Sequence, residues 1–212
     1  LGDAGFATPR VDEVTVDLVY ASVWLDRPAD HRRAVSVIPS PPDTRGGAVL
    51  PVEDDRWIMT LWGMNGQTPP GEWAEWRAFA DDLPISDFAE LLDSHADEPC
   101  DVTQYPFPSS IRRRYEQLDR LPRGVVVVGD ALASFNPIYA QGMSVAVLDA
   151  LSLHHALRRA APGRVADEYF SIVTDVIDVA WLLAVTSDFQ YADTRGEKPS
   201  VTSMFNWLRS RV

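Results

Sequence analysis

VVVVGDALASFNPIYAQGMSVA, running from Val125 to Ala146, decides how the rest of the chain is read. A valine run ends in Gly129 and Asp130, a short loop crosses Pro137, and Gly142 opens an apolar stretch that continues past Leu148. Uninterrupted β-branched residues predict a strand covered on both faces, as in a parallel sheet under helices, and such sheets bind ligands at the carboxyl ends of their strands. At that end Asp130 can accept hydrogen bonds from sugar or polyol hydroxyls, and Gly129 lets the chain turn where a Cβ would clash. Pro137 fixes the loop backbone, Gly142 permits close approach of a flat ligand, and the helix that starts there offers free N–H groups carrying about half a positive charge. Together these features suit a flat, polyhydroxylated cofactor that gains negative charge during turnover, and a flavin answers that description. The plain alternative is a strand, turn and helix with no ligand, in which Asp130 caps its own turn and Gly142 is merely small.

Upstream, Val14 to Leu25 alternates, with Val14, Val16, Leu18, Tyr20 and Trp24 on one side and Thr15, Asp17 and Val19 on the other, which predicts a strand. Ala34 to Ile38, Ala48 to Val52 and Trp57 to Gly63 continue an antiparallel meander, the last two joined across Glu53, Asp54 and Asp55. After Pro69, Pro70 and Gly71 the period lengthens. Trp73, Trp76, Phe79, Ala80 and Leu83 predict an amphipathic helix stopped by Pro84, and Ser86 with Asp87 cap a second one reaching His95. Asp101 to Phe107 reads as a further strand between Pro99 and Pro108. Downstream, Met143 to Ala160 predicts a helix buried over most of its surface, with Ser144, Ser152, His155 and Arg159 as a narrow polar stripe. Val165 to Val185 predicts a second apolar helix, and Val201 to Leu208 a short last one.

A net charge of −12 over 212 residues, with no basic cluster longer than Arg112, Arg113 and Arg114, argues against nucleic-acid binding. The single cysteine, Cys100, excludes an internal disulfide and fits a cytoplasmic protein. No uninterrupted apolar run approaches the length of a membrane span, so none is expected. His154 and His155 point apart on a helix, and His31 and His95 have no partner at ligand spacing, so no metal is expected. A hydrolase triad through Ser134 lacks the G-x-S-x-G elbow. The pairs Asp54 with Asp55 and Asp81 with Asp82 read as solvated turn and helix-end residues.

GDALASFNPIYAQGMSVAVLDA resembles the second flavin-binding motif of FAD-dependent monooxygenases of the para-hydroxybenzoate hydroxylase type, which reads G-D-A, then P, then G with an apolar helix. The wording SFNPIYAQGMS is most similar to bacterial oxidoreductases related to polyprenyl phenol hydroxylases and squalene epoxidases. The resemblance implies that Asp130 holds the ribityl chain, that Pro137 packs near the isoalloxazine, and that backbone N–H groups at Gly142 and Met143 meet the pyrimidine edge; Gly129 completes the expected cofactor set. Ala140 departs from the glycine such relatives often carry, which sets the loop slightly further from the ring. The family places its substrate against a sheet above the flavin, so Trp57, Met59, Trp62 and Tyr105 are candidate contacts for a small apolar organic substrate, with core packing as the competing reading. Arg112, Arg113 and Arg114 resemble the segment leading back toward the flavin domain, which implies that one of them faces the cofactor, while at least two read as a solvated, charge-balancing run. Hydroxylation or epoxidation with reduced FAD, O2 and NAD(P)H as reductant is the implied reaction, and it needs no catalytic acid or base from the protein.

The fold expected is therefore α+β, with a substrate lobe at 1–121, its sheet mixed or antiparallel and its helices within 71–95, followed at 122–212 by a strand and helices of an FAD-binding domain. No G-x-G-x-x-G occurs and the chain opens on Leu1 and Gly2, so the expectation is the C-terminal portion of a flavoenzyme whose N-terminal FAD-binding half is a missing partner. Such a segment alone would hold FAD weakly or not at all. A reductase or dehydrogenase using the same cofactor site, a non-catalytic ligand-binding lobe and a structural interaction domain are the alternatives.

Overall fold

The computed structural model describes Gly2 and residues 5–95 and 99–199. In chain order the elements are β1 (Val11–Asp26), β2 (Val35–Val37), β3 (Arg45–Val52), β4 (Arg56–Gly63), α1 (Trp73–Asp81), α2 (Asp87–His95), β5 (Thr103–Arg113), β6 (Ala133–Ser134), α3 (Gly142–Arg159), α4 (Val165–Asp188) and β7 (Arg195–Gly196). The α+β class holds. The helix expected at Val201 to Leu208 lies outside the described residues.

Two compact units divide the chain, one formed by Val16–Pro108 and the other by Leu1–Thr15 with Ser109–Val212. The sequence expectation put a single boundary between 121 and 122, whereas β1 and β5 both run from one unit into the other.

In the Val16–Pro108 unit the sheet order is β2-β3-β4-β1-β5. Its antiparallel registers pair Val19 with Gly63 through Asp26 with Arg56, and Arg45 with Gly63 through Val52 with Arg56. The β3–β4 turn works because Asp54 and Asp55 take φ of 58° and 50°, left-handed values that aspartate tolerates better than most side chains. Along β1 the buried positions are Val14, Val16 and Leu18 and then Ala21, Val23 and Leu25, so the alternation changes phase. Asp17 stands at φ 43° just before that change, and an inserted residue has this effect on a period of two. Trp24, expected on the side of Val14, is consequently half exposed.

Period two places Trp57, Met59 and Leu61 of β4 on the face that α1 and α2 cover. There they pack with Ala21, Val23, Trp76, Phe79 and Phe88, and the Trp76 indole N–H donates to the Ala21 carbonyl at 3.3 Å. Each such large apolar side chain contributes about 1.5–3 kcal/mol by leaving water.

In the second unit α3 packs against α4. The buried stripe of α3 is Val145, Asp149, Ser152 and Ala156, while Met143, Val147, Leu148, Leu151 and Leu157 are exposed. This reverses the expectation of a helix buried over most of its surface, because among the described residues packing covers one stripe only. α4 is long and apolar enough to cross a membrane by length and composition, with a mean hydropathy of 1.6 in its most apolar window. Asp175 and Asp178 interrupt its apolar run. Its buried side, including Tyr169, Phe170, Val173, Ile177 and Trp181, faces the interior of this unit.

Two further expectations change. Val125–Val128 belongs to no strand, and Val125 and Val128 are 44% and 43% exposed. A valine run becomes a buried strand only when neighbours supply both ladder bonds and cover, and no described strand pairs with it. The arginine run is not a solvated patch. Alternation on β5 turns Arg112 inward to 2% exposure, where Asp178 and Glu116 neutralise it. Arg114 pairs with Asp12 at 2.6 Å and Glu116 at 3.4 Å. Burial, opposed by these carboxylates, lowers the Arg112 pKa from its ordinary value.

Candidate functional site

The loop between Val128 and α3 is fixed at both ends by buried carboxylates. At its start Gly129–Ala131 forms one tight turn with Gly129 at φ 61°, a conformation that costs about 1–2 kcal/mol for a residue bearing a Cβ. The Gly129 N–H donates to Asp149 Oδ2 at 2.6 Å. Asp149, on the buried stripe of α3, also accepts from the Tyr169 hydroxyl of α4, which faces the Val127 carbonyl at 3.1 Å as well. Burial first and the Asp149 carboxylate second push the Tyr169 pKa far above the usual phenol range, so the hydroxyl stays a donor.

Asn136, Pro137 and Tyr139 form the far end. The Asn136 side-chain carbonyl accepts from the Ile138 N–H at 3.2 Å, an N-cap bond for the turn Pro137–Tyr139. Asn136 Nδ2 donates to Asp188 Oδ1 at 2.8 Å, and the Tyr139 hydroxyl donates to the same oxygen at 2.9 Å. Asp188 is the last residue of α4 and is fully buried, and its Oδ2 has no hydrogen-bond partner among the described residues. Burial pushes its pKa up to about 6 against the downward pull of the two hydrogen bonds. From the β5 side, Ser110 Oγ accepts the Asn136 N–H at 3.0 Å, and the Arg113 N–H donates to the Leu132 carbonyl at 2.9 Å.

Between these anchors the loop is accessible. Asp130 and Pro137 are exposed, Gly142 is half-buried and Met143 is 82% exposed. Asp130 makes no hydrogen bond or ion pair with the described residues. Apart from its chain neighbours and its own helix backbone, no atom of the described residues lies within 4 Å of a Cβ placed on Gly142, so packing there does not explain a glycine. The first turn of α3 has no side-chain cap and no acidic residue, which leaves its N–H groups for another acceptor. An acid, a proline, a glycine and a bare helix start on one short segment fit the polyol and ring edge of a flavin. Ala140 takes φ 53°, which gives a physical reason why glycine suits this position: the need is for backbone freedom.

The four candidate substrate residues separate. Trp57 and Met59 belong to the core beneath α1 and α2, at 1% and 0% exposure, the placement that the competing core-packing reading describes. Trp62 lies on the opposite face of β4, its cross-strand partner is Tyr20, and Tyr20 stacks on Tyr105 with ring centroids 5.2 Å apart. The indole N–H of Trp62 is buried without a partner among the described residues. Beside them the Ser22 and Thr60 hydroxyls share a 2.7 Å hydrogen bond. Sequence reasoning missed Tyr20 and Ser22 because β1 pairs with β4 across two intervening strands, a register with no local signal; only Thr60 lies at period two from Trp62 on the same strand. Asp149 and Asp188 were missed because a lone carboxylate in an apolar helix shows its use only once its partner is placed. Among the described residues no group of His, Cys, Asp and Glu side chains is arranged to hold a metal.

Several solved structures share this fold. The fold matches Klebsiella pneumoniae HpxO, solved with FAD and uric acid (TM-score 0.58, 18% identity, 96% of this chain and 50% of that one). It also matches the flavin-dependent brominase Bmp2 (TM-score 0.59, 11% identity, 84% and 47%). A third match is 2-methyl-3-hydroxypyridine-5-carboxylic acid oxygenase (TM-score 0.53, 16% identity, 99% and 51%). At these identities the likeness is one of fold. The chain belongs to the FAD binding domain family, whose model matches residues 4–184. A relative in Mycobacterium tuberculosis (strain ATCC 25618 / H37Rv), Protein Rv3254, is 33% identical over 199 residues, 91% of this chain. The chain spans 42% of that relative's length.

Proposed function

We propose that this chain is the C-terminal portion of an FAD-dependent monooxygenase of the para-hydroxybenzoate hydroxylase type, acting on a small apolar organic substrate by hydroxylation or epoxidation. One observation carries the reading: Asp130, Pro137, Gly142 and Met143 are accessible on a single segment whose two ends are held by buried carboxylates. Names among the structural matches, an oxygenase and a protein solved with FAD and uric acid, support it at the level of class.

When bound and reduced by NAD(P)H, FAD would supply the oxygen activation. The chain supplies orientation. Asp130 accepts from ribityl hydroxyls, Pro137 limits the play of the loop against the ring, and the N–H groups at Gly142 and Met143 meet the ring edge with the positive end of the α3 dipole, where they offset growing negative charge. Trp62, Tyr20 and Tyr105 offer an apolar, aromatic surface to the substrate, and the Ser22–Thr60 pair gives it one polar point. The N-terminal half of the FAD-binding fold is the partner in this reading. Val125–Val128 lacks strand neighbours among the described residues, α3 exposes Met143, Val147 and Leu151, and the matched chains are about twice as long.

Purification of the complete protein that carries this chain tests the proposal. The expected result is a yellow protein whose NAD(P)H oxidation is stimulated by an apolar phenolic or polyene substrate, with one oxygen atom from O2 in the product. Substrate-coupled NAD(P)H oxidation without oxygen incorporation would favour a reductase. A colourless protein that takes up no FAD refutes the flavoenzyme reading.

A further inference from the structure

We propose that Asp188 is a positioning residue for the cofactor loop, holding the turn Pro137–Tyr139 in place from the end of α4. The inference rests on the flavin reading and extends it to a residue 46 positions beyond the loop's last glycine, on a different helix. One carboxylate oxygen, Asp188 Oδ1, receives both Asn136 Nδ2 at 2.8 Å and the Tyr139 hydroxyl at 2.9 Å. Those two donors flank Pro137, so a single acceptor fixes the residues on either side of it. Asn136 passes the constraint into the backbone, because its side-chain carbonyl accepts the Ile138 N–H and its own N–H is held by Ser110 Oγ at 3.0 Å. The turn then closes through the Ala140 N–H on the Pro137 carbonyl at 3.0 Å, with Ala140 left-handed, immediately before Gln141 and Gly142.

The arrangement is costly in a way that packing alone would not retain. Asp188 is completely buried, its second oxygen has no partner among the described residues, and Asn136 is completely buried beside it. An apolar residue at 188 would avoid burying a carboxylate but would leave Asn136 Nδ2 and the Tyr139 hydroxyl without their acceptor. The acid is explained if the geometry of this loop matters more than the stability of the helix end. Asp149 does the corresponding work at Gly129, so both ends of the segment answer to side chains from the helices beneath it.

The test uses the complete protein with Asp188→Ala, Asp188→Asn and Tyr139→Phe variants, read by FAD titration and by hydrogen exchange of the Ile138, Tyr139 and Ala140 amides relative to amides in the middle of α4. Asp188→Ala is expected to weaken FAD binding at least tenfold and to speed exchange of the three loop amides at least tenfold while α4 keeps its protection. Asp188→Asn, which retains an acceptor oxygen, is expected to stay within about threefold of the parent in both readouts, and Tyr139→Phe to fall between them. If Asp188→Ala does not fold, Tyr139→Phe decides: unchanged loop exchange and unchanged FAD affinity overturn the proposal. Equal FAD affinity and equal loop exchange in a folded Asp188→Ala also overturn it. A parent protein that binds no FAD defeats the flavin reading itself, a result distinct from a parent that binds FAD as tightly as its Asp188→Ala variant.

Discussion

Replacing Asp188 by asparagine should change how stability depends on pH, and the size of the change follows from its burial. The folded protein raises this carboxyl from its ordinary 3.8 to about 6. A raised pKa means that the fold prefers the neutral acid, so the contribution to stability is complete below about pH 4 and is lost as pH rises through about 6. At about 1.4 kcal/mol for each tenfold change in proton affinity, the ionised acid costs the fold about 3 kcal/mol at pH 8. Asparagine keeps an oxygen for Asn136 Nδ2 and the Tyr139 hydroxyl and never ionises, but its amide adds a buried N–H group worth about 1 kcal/mol unmet. The variant should therefore be more stable than the parent by about 2 kcal/mol at pH 8 and no more stable, or slightly less so, at pH 4. Urea unfolding of both proteins at half-unit steps from pH 4 to 8 measures this difference directly. A difference that stays flat across the range would refute the claim that this carboxyl titrates in the folded protein.

Ala140→Gly removes a left-handed alanine worth about 1–2 kcal/mol of strain and adds about 0.4–1 kcal/mol of chain entropy to the unfolded state, so a net gain between about 0 and 1.6 kcal/mol is expected in thermal unfolding. Asp149→Ala strands the Gly129 N–H and leaves the Tyr169 hydroxyl with the Val127 carbonyl as its acceptor, so it should cost about 1–3 kcal/mol in urea unfolding, with lost amide protection at Gly129. The two faces of β4 should part in their behaviour. Met59→Ala should destabilise by about 2–5 kcal/mol through a cavity under the helices, whereas Tyr105→Ala should leave stability within about 1 kcal/mol and raise the KM for an apolar substrate.

Elements with a strong period were legible in the sequence. The meander, the β3–β4 turn and the α1 stripe of Trp76, Phe79 and Ala80 appear where alternation and spacing put them. The valine run misled because β-branching reports a preference for extended backbone, while a strand also needs partners, and none of the described residues provides them at 125–128. Alternation likewise could not show which face of β4 the helices would cover, so Met59 and Trp62 looked equivalent until α1 and α2 were placed. The Asp130, Pro137 and Gly142 segment could be proposed from the sequence because its features are local: a turn, a proline and a glycine at a helix start. The carboxylates that hold it, Asp149 and Asp188, depend on tertiary pairing 20 and 52 residues away in the chain and carry no local signature.

Titration of FAD into the complete protein and into its Asp130→Ala variant, followed by flavin fluorescence quenching, tests the central claim most directly. Asp130 is exposed and makes no bond within the described chain, so its loss should leave the fold and its melting temperature unchanged while FAD binding weakens by at least tenfold. Equal FAD affinity in the two proteins would contradict the account.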